Sequence, residues 1–186
     1  MDILVISFVA ALLAAWSDKT QLVTAMLAER TQRPLLVLAG LSLALAASNI
    51  IAAIAGIYVG HLITPRAATL LTALALLFAG GSGLIRRRPP RPATAKLPLL
   101  TTFILCLASE MGDRTQFLTF ALAGRFDSAP FAAAGATAGA LAACLPALIL
   151  GEELQKKAPL RAIRYVGAGI FLIAGFIVAV QALRLT

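Results

Sequence analysis

A chain of 186 residues in which 60% are hydrophobic and only 13% charged has too little polar surface to coat a water-soluble globule, so lipid has to solvate much of it. The formal charge of +8 does not point to nucleic acid, because the basic residues cluster in short connectors between apolar runs, as in an oriented membrane protein. Cys106 and Cys144 lie within apolar runs without CxxC or CxxH spacing, which favours packing over a disulfide framework or a thiolate metal site.

Six runs are long enough to cross a hydrocarbon core of about 30 Å at about 1.5 Å per residue. The first, residues 3–28, begins like the apolar core of a signal peptide. Asp2 stands where such a peptide has a basic region, so the segment is read as retained. Its middle is interrupted by a polar island, Ser17-Asp18-Lys19-Thr20-Gln21, and Arg33-Pro34 separates it from the second run, 34–60. That run carries Gly56 and Gly60 at GxxxG-like spacing, and His61, the only histidine, follows at its end, where an interfacial role fits better than metal ligation. The third run, 66–85, has Gly80, Gly81 and Gly83 as a packing face. A basic, proline-rich stretch from Arg86 to Pro98 then acts as linker and orientation signal. The fourth run, 97–123, holds the second island, Ser109-Glu110-Met111-Gly112-Asp113-Arg114-Thr115-Gln116. The fifth, 129–151, carries Gly135, Gly139 and a kink-forming Pro146, and the sixth spans 160–183.

Lys and Arg outside the islands divide eleven to three between the two faces of this arrangement. The richer side, with Arg30, Arg33, the 86–96 cluster, Lys156, Lys157, Arg161 and Arg164, is expected in the cytoplasm, which leaves both termini extracytoplasmic.

The two halves repeat in one ungapped register. Asp18 and Asp113 lie 95 residues apart, and the same offset pairs Phe8 with Phe103, Thr20 with Thr115, Gln21 with Gln116, Thr24 with Thr119, Gly40 with Gly135, Gly56 with Gly151, Arg66 with Arg161 and Gly80 with Gly175. Alanine and leucine would pair by composition alone; Asp, Gln and these glycines would not. Three spans per copy is an odd number, so the second copy enters the membrane from the opposite side. The expected fold is an all-α membrane protein of six transmembrane helices arranged as two inverted three-helix repeats, residues 1–88 and 97–186, joined by a basic cytoplasmic linker at 89–96.

A charged side chain in mid-bilayer costs about 2.5–3.5 kcal/mol, so the five in the islands represent on the order of 12 kcal/mol, a burden that signals function. Read as continuous helices, the islands place Glu110, Asp113 and Gln116 at i, i+3 and i+6 on one stripe, with Asp18 and Gln21 on the matching stripe. Carboxylates with amide, hydroxyl and carbonyl oxygens suit hard divalent cations such as Mn²⁺, Ca²⁺ or Mg²⁺. Lys19 and Arg114 are read as charge-compensating, and the neutral island residues serve equally well as ligands or as interhelical glue.

The run Glu110-Met111-Gly112-Asp113-Arg114-Thr115-Gln116 resembles the E-x-G-D-[K/R]-[T/S] signature of the Gdt-one family of Mn²⁺/Ca²⁺ cation/proton exchangers, which carries it in its first and fourth core helices. The resemblance, covering the whole chain, implies that Asp18, Glu110 and Asp113 bind the ion, with Gln21, Gln116, Thr20 and Thr115 as neutral candidates. In the first copy Ala15 stands where the family has glutamate and Ser17 where it has glycine, so one carboxylate is missing. Similarity to the bacterial manganese exporters implies a multi-pass protein of the bacterial inner membrane that removes Mn²⁺, or Ca²⁺, from the cytoplasm in exchange for protons. No cofactor or enzymatic activity is expected; the partners are a divalent cation, protons and the bilayer, and the sequence leaves a homodimer open. A six-helix exporter of an amino acid or other small solute is the alternative.

Overall fold

Proline at the first turn, where its missing N–H is no loss and its φ is already helical, opens three of the helices: α3 (Pro34–Leu62), α4 (Pro65–Leu84) and α5 (Pro98–Glu110). The computed structural model describes residues 2–16, 18–85, 97–150 and 160–183. Within them α1 (Asp2–Ala15) and α2 (Lys19–Thr31) precede α3, while α6 (Arg114–Phe126), α7 (Ala129–Leu150) and α8 (Leu160–Leu183) complete the chain. Among the described residues all regular structure is helical. The linker 89–96 and most of the basic connectors, including Lys156, Lys157 and Arg184, lie outside these residues.

Four helices, α3, α4, α7 and most of α8, are long and apolar enough to cross a membrane, and α1 with α2 would make a fifth span, bent by 69°. The expectation of unbroken first and fourth spans is corrected. Each is divided at its polar island, the first between Ala15 and Lys19 and the fourth between Glu110 and Arg114. The reason is local. Gly112 takes φ +71°, which a side chain would resist, and the aspartates before α2 and α6 are extended, with φ/ψ of −96°/173° at Asp18 and −87°/165° at Asp113. The stripe of Glu110, Asp113 and Gln116 along one helix face therefore does not exist.

The polarity of the molecule is inverted relative to a soluble protein. Its interior is built from alanine, glycine and small polar residues, while Leu35, Ile54, Tyr58, Leu74, Ile173 and Phe176 are exposed on its flanks, as expected where lipid is the solvent. Small residues let backbones touch. A Cβ on Gly56 would overlap the Phe120 carbonyl, and one on Gly60 would strike Gly124, so α3 and α6 lie backbone to backbone. Gly81 is the exception to the expected packing faces, with nothing within 4 Å of a Cβ placed there.

Contacts repeat across the 95-residue offset. Gly40 packs on the Leu99 carbonyl and Gly135 on that of Leu4; Gly80 packs on Leu172 and Gly175 on Leu77. In each pair both partners shift by 95, so each half contacts the other in the same way. The left-handed C-caps at Gln32 and Asp127, the two non-glycine residues with positive φ among those described, stand at the same spacing.

The turns α3–α4 and α6–α7 and the end of α8 share one end of the bundle. There His61 Nε2 lies 2.8 Å from Asp127 Oδ1, and Arg66 donates to the carbonyls of Ala182 at 2.7 Å and Leu183 at 3.1 Å. His61 sits at a helix end, as expected, and both members of its pair are about two-thirds exposed. Screening leaves such a pair little stabilising effect. His61→Ala is expected to leave the thermal unfolding midpoint of the purified protein unchanged within error.

Candidate functional site

Two broken helices bring backbone termini and acidic side chains to the middle of the bundle. At each break the aspartate N–H donates to the last carbonyl of the preceding helix, Asp18 to Ala15 at 3.3 Å and Asp113 to Glu110 at 3.0 Å. Its own carbonyl then starts the next helix by accepting from Leu22 at 3.2 Å or Phe117 at 3.0 Å. The same turn is thus built twice, 95 residues apart. Aspartate is a natural N-cap, yet neither carboxylate bonds back to the first turn of its own helix, so capping is not what holds these acids here.

Asp18, Glu110 and Asp113 are each 2% exposed. Thr20 Oγ1 donates to Glu110 Oε1 at 2.6 Å and lies 2.9 Å from Ser109 Oγ, which ties α2 of the first half to the end of α5 in the second. Arg114, also buried, extends the other way and places Nη2 3.7 Å from Asp18 Oδ1. That spacing exceeds the roughly 2.7–2.9 Å of a charge-assisted hydrogen bond, so the guanidinium compensates the carboxylate without locking it. Gly83 of α4 makes the room: a Cβ there would come 3.1 Å from Arg114 Nη1. Lys19 is half-buried at the start of α2.

The amides are occupied by the protein itself. Gln21 Nε2 donates to the Ala143 carbonyl at 2.6 Å, in the turn of α7 before Pro146, and Gln116 Oε1 accepts from the Gly112 N–H at 2.7 Å, bracing the α5–α6 break. Glu110 Oε2 and Thr115 Oγ1 are buried and have no hydrogen-bond partner among the described residues. Among those residues no three His, Cys, Asp or Glu side chains stand close enough together to hold a metal ion. The structure thus brings Thr20 of the first half against Glu110 of the second, and Arg114 of the second half within 3.7 Å of Asp18 of the first. Asp113 lines a cavity of about 540 Å³ with Gly112 and Gln116, between Ile51, Ala52 and Ala55 of α3, Phe78 of α4, and Phe117 and Phe120 of α6.

Two contributors escaped sequence reasoning. Ser109 was legible only as part of an island; its contact with Thr20 depends on the approach of α2 to α5. Asn49 carries a buried cluster next to the site, accepting from Thr119 Oγ1 at 2.9 Å and donating to the Leu45 carbonyl at 2.9 Å and to Thr137 Oγ1 at 3.3 Å. A lone asparagine in an apolar run was the available signal. Cys106 and Cys144 are free and buried, as the packing expectation has it.

A family model described as divalent cation/proton antiporter GDT1 matches residues 3–90 and residues 98–185, segments that start and end 95 residues apart. A protein from Vibrio cholerae serotype O1 (strain ATCC 39541 / Classical Ogawa 395 / O395) named "Putative manganese exporter" is 32% identical over 176 residues, which cover 93% of this chain and 88% of that protein. No solved structure matches the chain.

Proposed function

The chain belongs to the divalent cation/proton antiporter GDT1 family, and from that premise we propose that it exports Mn²⁺ from the cytoplasm in exchange for protons, with Ca²⁺ as the second candidate substrate. The observation that carries the site assignment is the pair of buried contacts between the two helix breaks: Thr20 of one half bonds Glu110 of the other, and Arg114 of the second half faces Asp18 of the first. Asp18, Glu110 and Asp113 are the ion-binding acids, Thr20 and Thr115 neutral ligands, and Arg114 with Lys19 the compensating charges. Gln21 and Gln116 act first as braces of the site, since both amides are engaged in protein hydrogen bonds. No resident cofactor is invoked, and the cation is the cargo.

The reading of the fold is six spans in two inverted repeats, with α1–α2 and α5–α6 as the broken spans, residues 89–96 as the cytoplasmic linker and both termini outside a bacterial inner membrane. The exchange of glycine contacts across the 95-residue offset supports it. So does a family model that matches each half.

Charge sets the order of events. Three acids and two bases leave a formal −1, which a divalent ion turns to +1, so entry of the ion favours departure of positive charge from the acids. The ion draws Asp18, Glu110 and Asp113 together and weakens the hold of Arg114 on Asp18; rocking of the halves then opens the site outward, where protons displace the ion.

In proteoliposomes, Mn²⁺ movement is expected to be accelerated by an opposing proton gradient and to lose that acceleration when an ionophore collapses it. Mn²⁺ flux indifferent to the gradient would reject exchange, and amino-acid flux without metal competition would favour the solute-exporter alternative. Thr20→Val keeps the shape of the side chain but removes the donor to Glu110. A hydrogen bond to a charged group contributes about 1.5–3 kcal/mol, so the apparent Mn²⁺ affinity is expected to change by roughly tenfold or more, measured as KM in the same assay.

A further inference from the structure

The cavity beside Asp113 has an aromatic lining that the other half of the chain does not repeat. Its three rings, Phe78, Phe117 and Phe120, correspond across the 95-residue offset to Ile173, Leu22 and Ala25. On that side α2 packs directly on α7: Ala25 and Ala147 form a buried pair, and Gln21 is 0% exposed with its amide on the Ala143 carbonyl. The rings around the second half-site therefore do not follow from the plan that the two halves share.

The rings are contiguous. Phe78 and Phe117 meet edge to face with centroids 5.8 Å apart, and Phe117 and Phe120 lie nearly parallel at 6.2 Å. Asp113 supplies the charge of the lining. Gln116 is turned to the helix break, where its amide accepts from the Gly112 N–H and lies 3.6 Å from Met111 Sδ. Arg114 extends to Asp18 and Gly83, so its positive charge does not line the cavity. At about 540 Å³ the space is of the size that holds small molecules, roughly 300–1,000 Å³. Ile51, Ala55 and Phe78 are themselves exposed on the apolar flank, so the cavity is reached from the lipid side.

Walls and charge together select the occupant. A hydrated divalent ion gains nothing from apolar walls, and a lipid acyl chain would set hydrocarbon against a carboxylate. An ammonium on an apolar body suits both, because a carboxylate and aromatic faces attract the same charge while the rings cover the body. We propose that the cavity between α3, α4 and α6 is a binding site for a lipophilic organic cation, whose charge sits at Asp113 and competes there with the divalent ion. The competition rests on the export reading above; the binding does not.

The test uses benzyltrimethylammonium and its neutral isostere neopentylbenzene, titrated calorimetrically into the protein in lipid nanodiscs with empty nanodiscs as the blank. The ammonium is expected to bind saturably at one site, at least about tenfold more tightly than the isostere, and about fivefold more weakly in Phe78→Leu and in Phe117→Leu. Mn²⁺ at about ten times its own Kd should weaken the ammonium by about tenfold, by mass action at a shared group. Phe78→Leu should keep Mn²⁺ flux in proteoliposomes within about threefold of wild type, since a ring that holds the organic cation is not needed by the metal. Equal binding of the two probes would overturn the proposal, because the cavity would then be filled by apolar bodies without regard to charge. So would the absence of saturable ammonium binding, or binding unchanged in both folded phenylalanine variants. The comparison of the two probes needs only the wild type, so it decides even if a variant fails to fold. Ammonium binding that Mn²⁺ leaves unchanged would overturn the shared use of Asp113. A wild type that binds the ammonium but no Mn²⁺ would support the site while counting against the export reading.

Discussion

Glu110→Gln is expected to lower proton-driven Mn²⁺ flux by at least about 100-fold while leaving the protein folded. Glutamine keeps the size of the side chain and an oxygen to accept the Thr20 hydroxyl, so the α2–α5 contact at 2.6 Å survives. What disappears is a carboxylate that the ion would bind, in a setting where Oε2 has no hydrogen-bond partner among the described residues. Removing one partner of a buried charge interaction costs about 3–5 kcal/mol, and about 1.4 kcal/mol is a factor of ten, so a loss near 100-fold is the lower end. Stability should respond in the opposite sense, because a neutral amide is cheaper to bury than a carboxylate. Initial flux rates in proteoliposomes together with a thermal melt of the same preparation check both halves of the prediction. Flux within threefold of wild type would remove Glu110 from the site.

Gly56→Ala is expected to be among the most destabilising glycine-to-alanine changes at the described positions. The new Cβ would meet the carbonyl oxygen, carbonyl carbon and Cα of Phe120, all backbone, and none can turn away as a side chain would. Gly124 faces the Gly56 carbonyl from the other helix and Gly60 packs on Gly124, so α3 and α6 can relieve the overlap only by moving apart. Overpacking of this kind costs typically 1–3 kcal/mol, and at about 2–4 °C per kcal/mol the unfolding midpoint should fall by roughly 5 °C. Separation of α3 from α6 also disturbs Asn49 and Thr119, which bridge the same pair, so flux should fall with it. Gly81→Ala is the control, with no atom within 4 Å of its Cβ and no loss expected.

The lengths of the apolar runs and their connectors were legible because lipid imposes a minimum span and proline marks helix starts. The structural boundaries fall within a few residues of the expected ones, as at α3, 34–62 against 34–60. The 95-residue repeat was legible because rare residue types repeat in register, and the structure returns it as exchanged contacts. Helix periodicity failed at the islands. A polar run inside an apolar span reads as a helical stripe only if the helix continues, and Gly112 with its positive φ was the available warning that it does not. For the same reason the two glutamines, placed beside the acids by spacing, turn out to bond Ala143 and Gly112. Thr20 and Glu110 belong to different halves, and their contact required the fold. The resemblance named the chemistry and showed the first copy to lack one carboxylate, whereas the buried Thr115 hydroxyl without a partner among the described residues appeared only in the structure.

The central claim is that acids from the two halves serve one ion, and Mn²⁺ binding to the purified protein in lipid nanodiscs, followed by electron paramagnetic resonance, tests it most directly. The bound-Mn²⁺ signal of the wild type is expected to be lost in both Asp18→Asn and Glu110→Gln, although these residues stand in different halves of the chain. A signal lost in Glu110→Gln but retained in Asp18→Asn, with both variants folded, would contradict it.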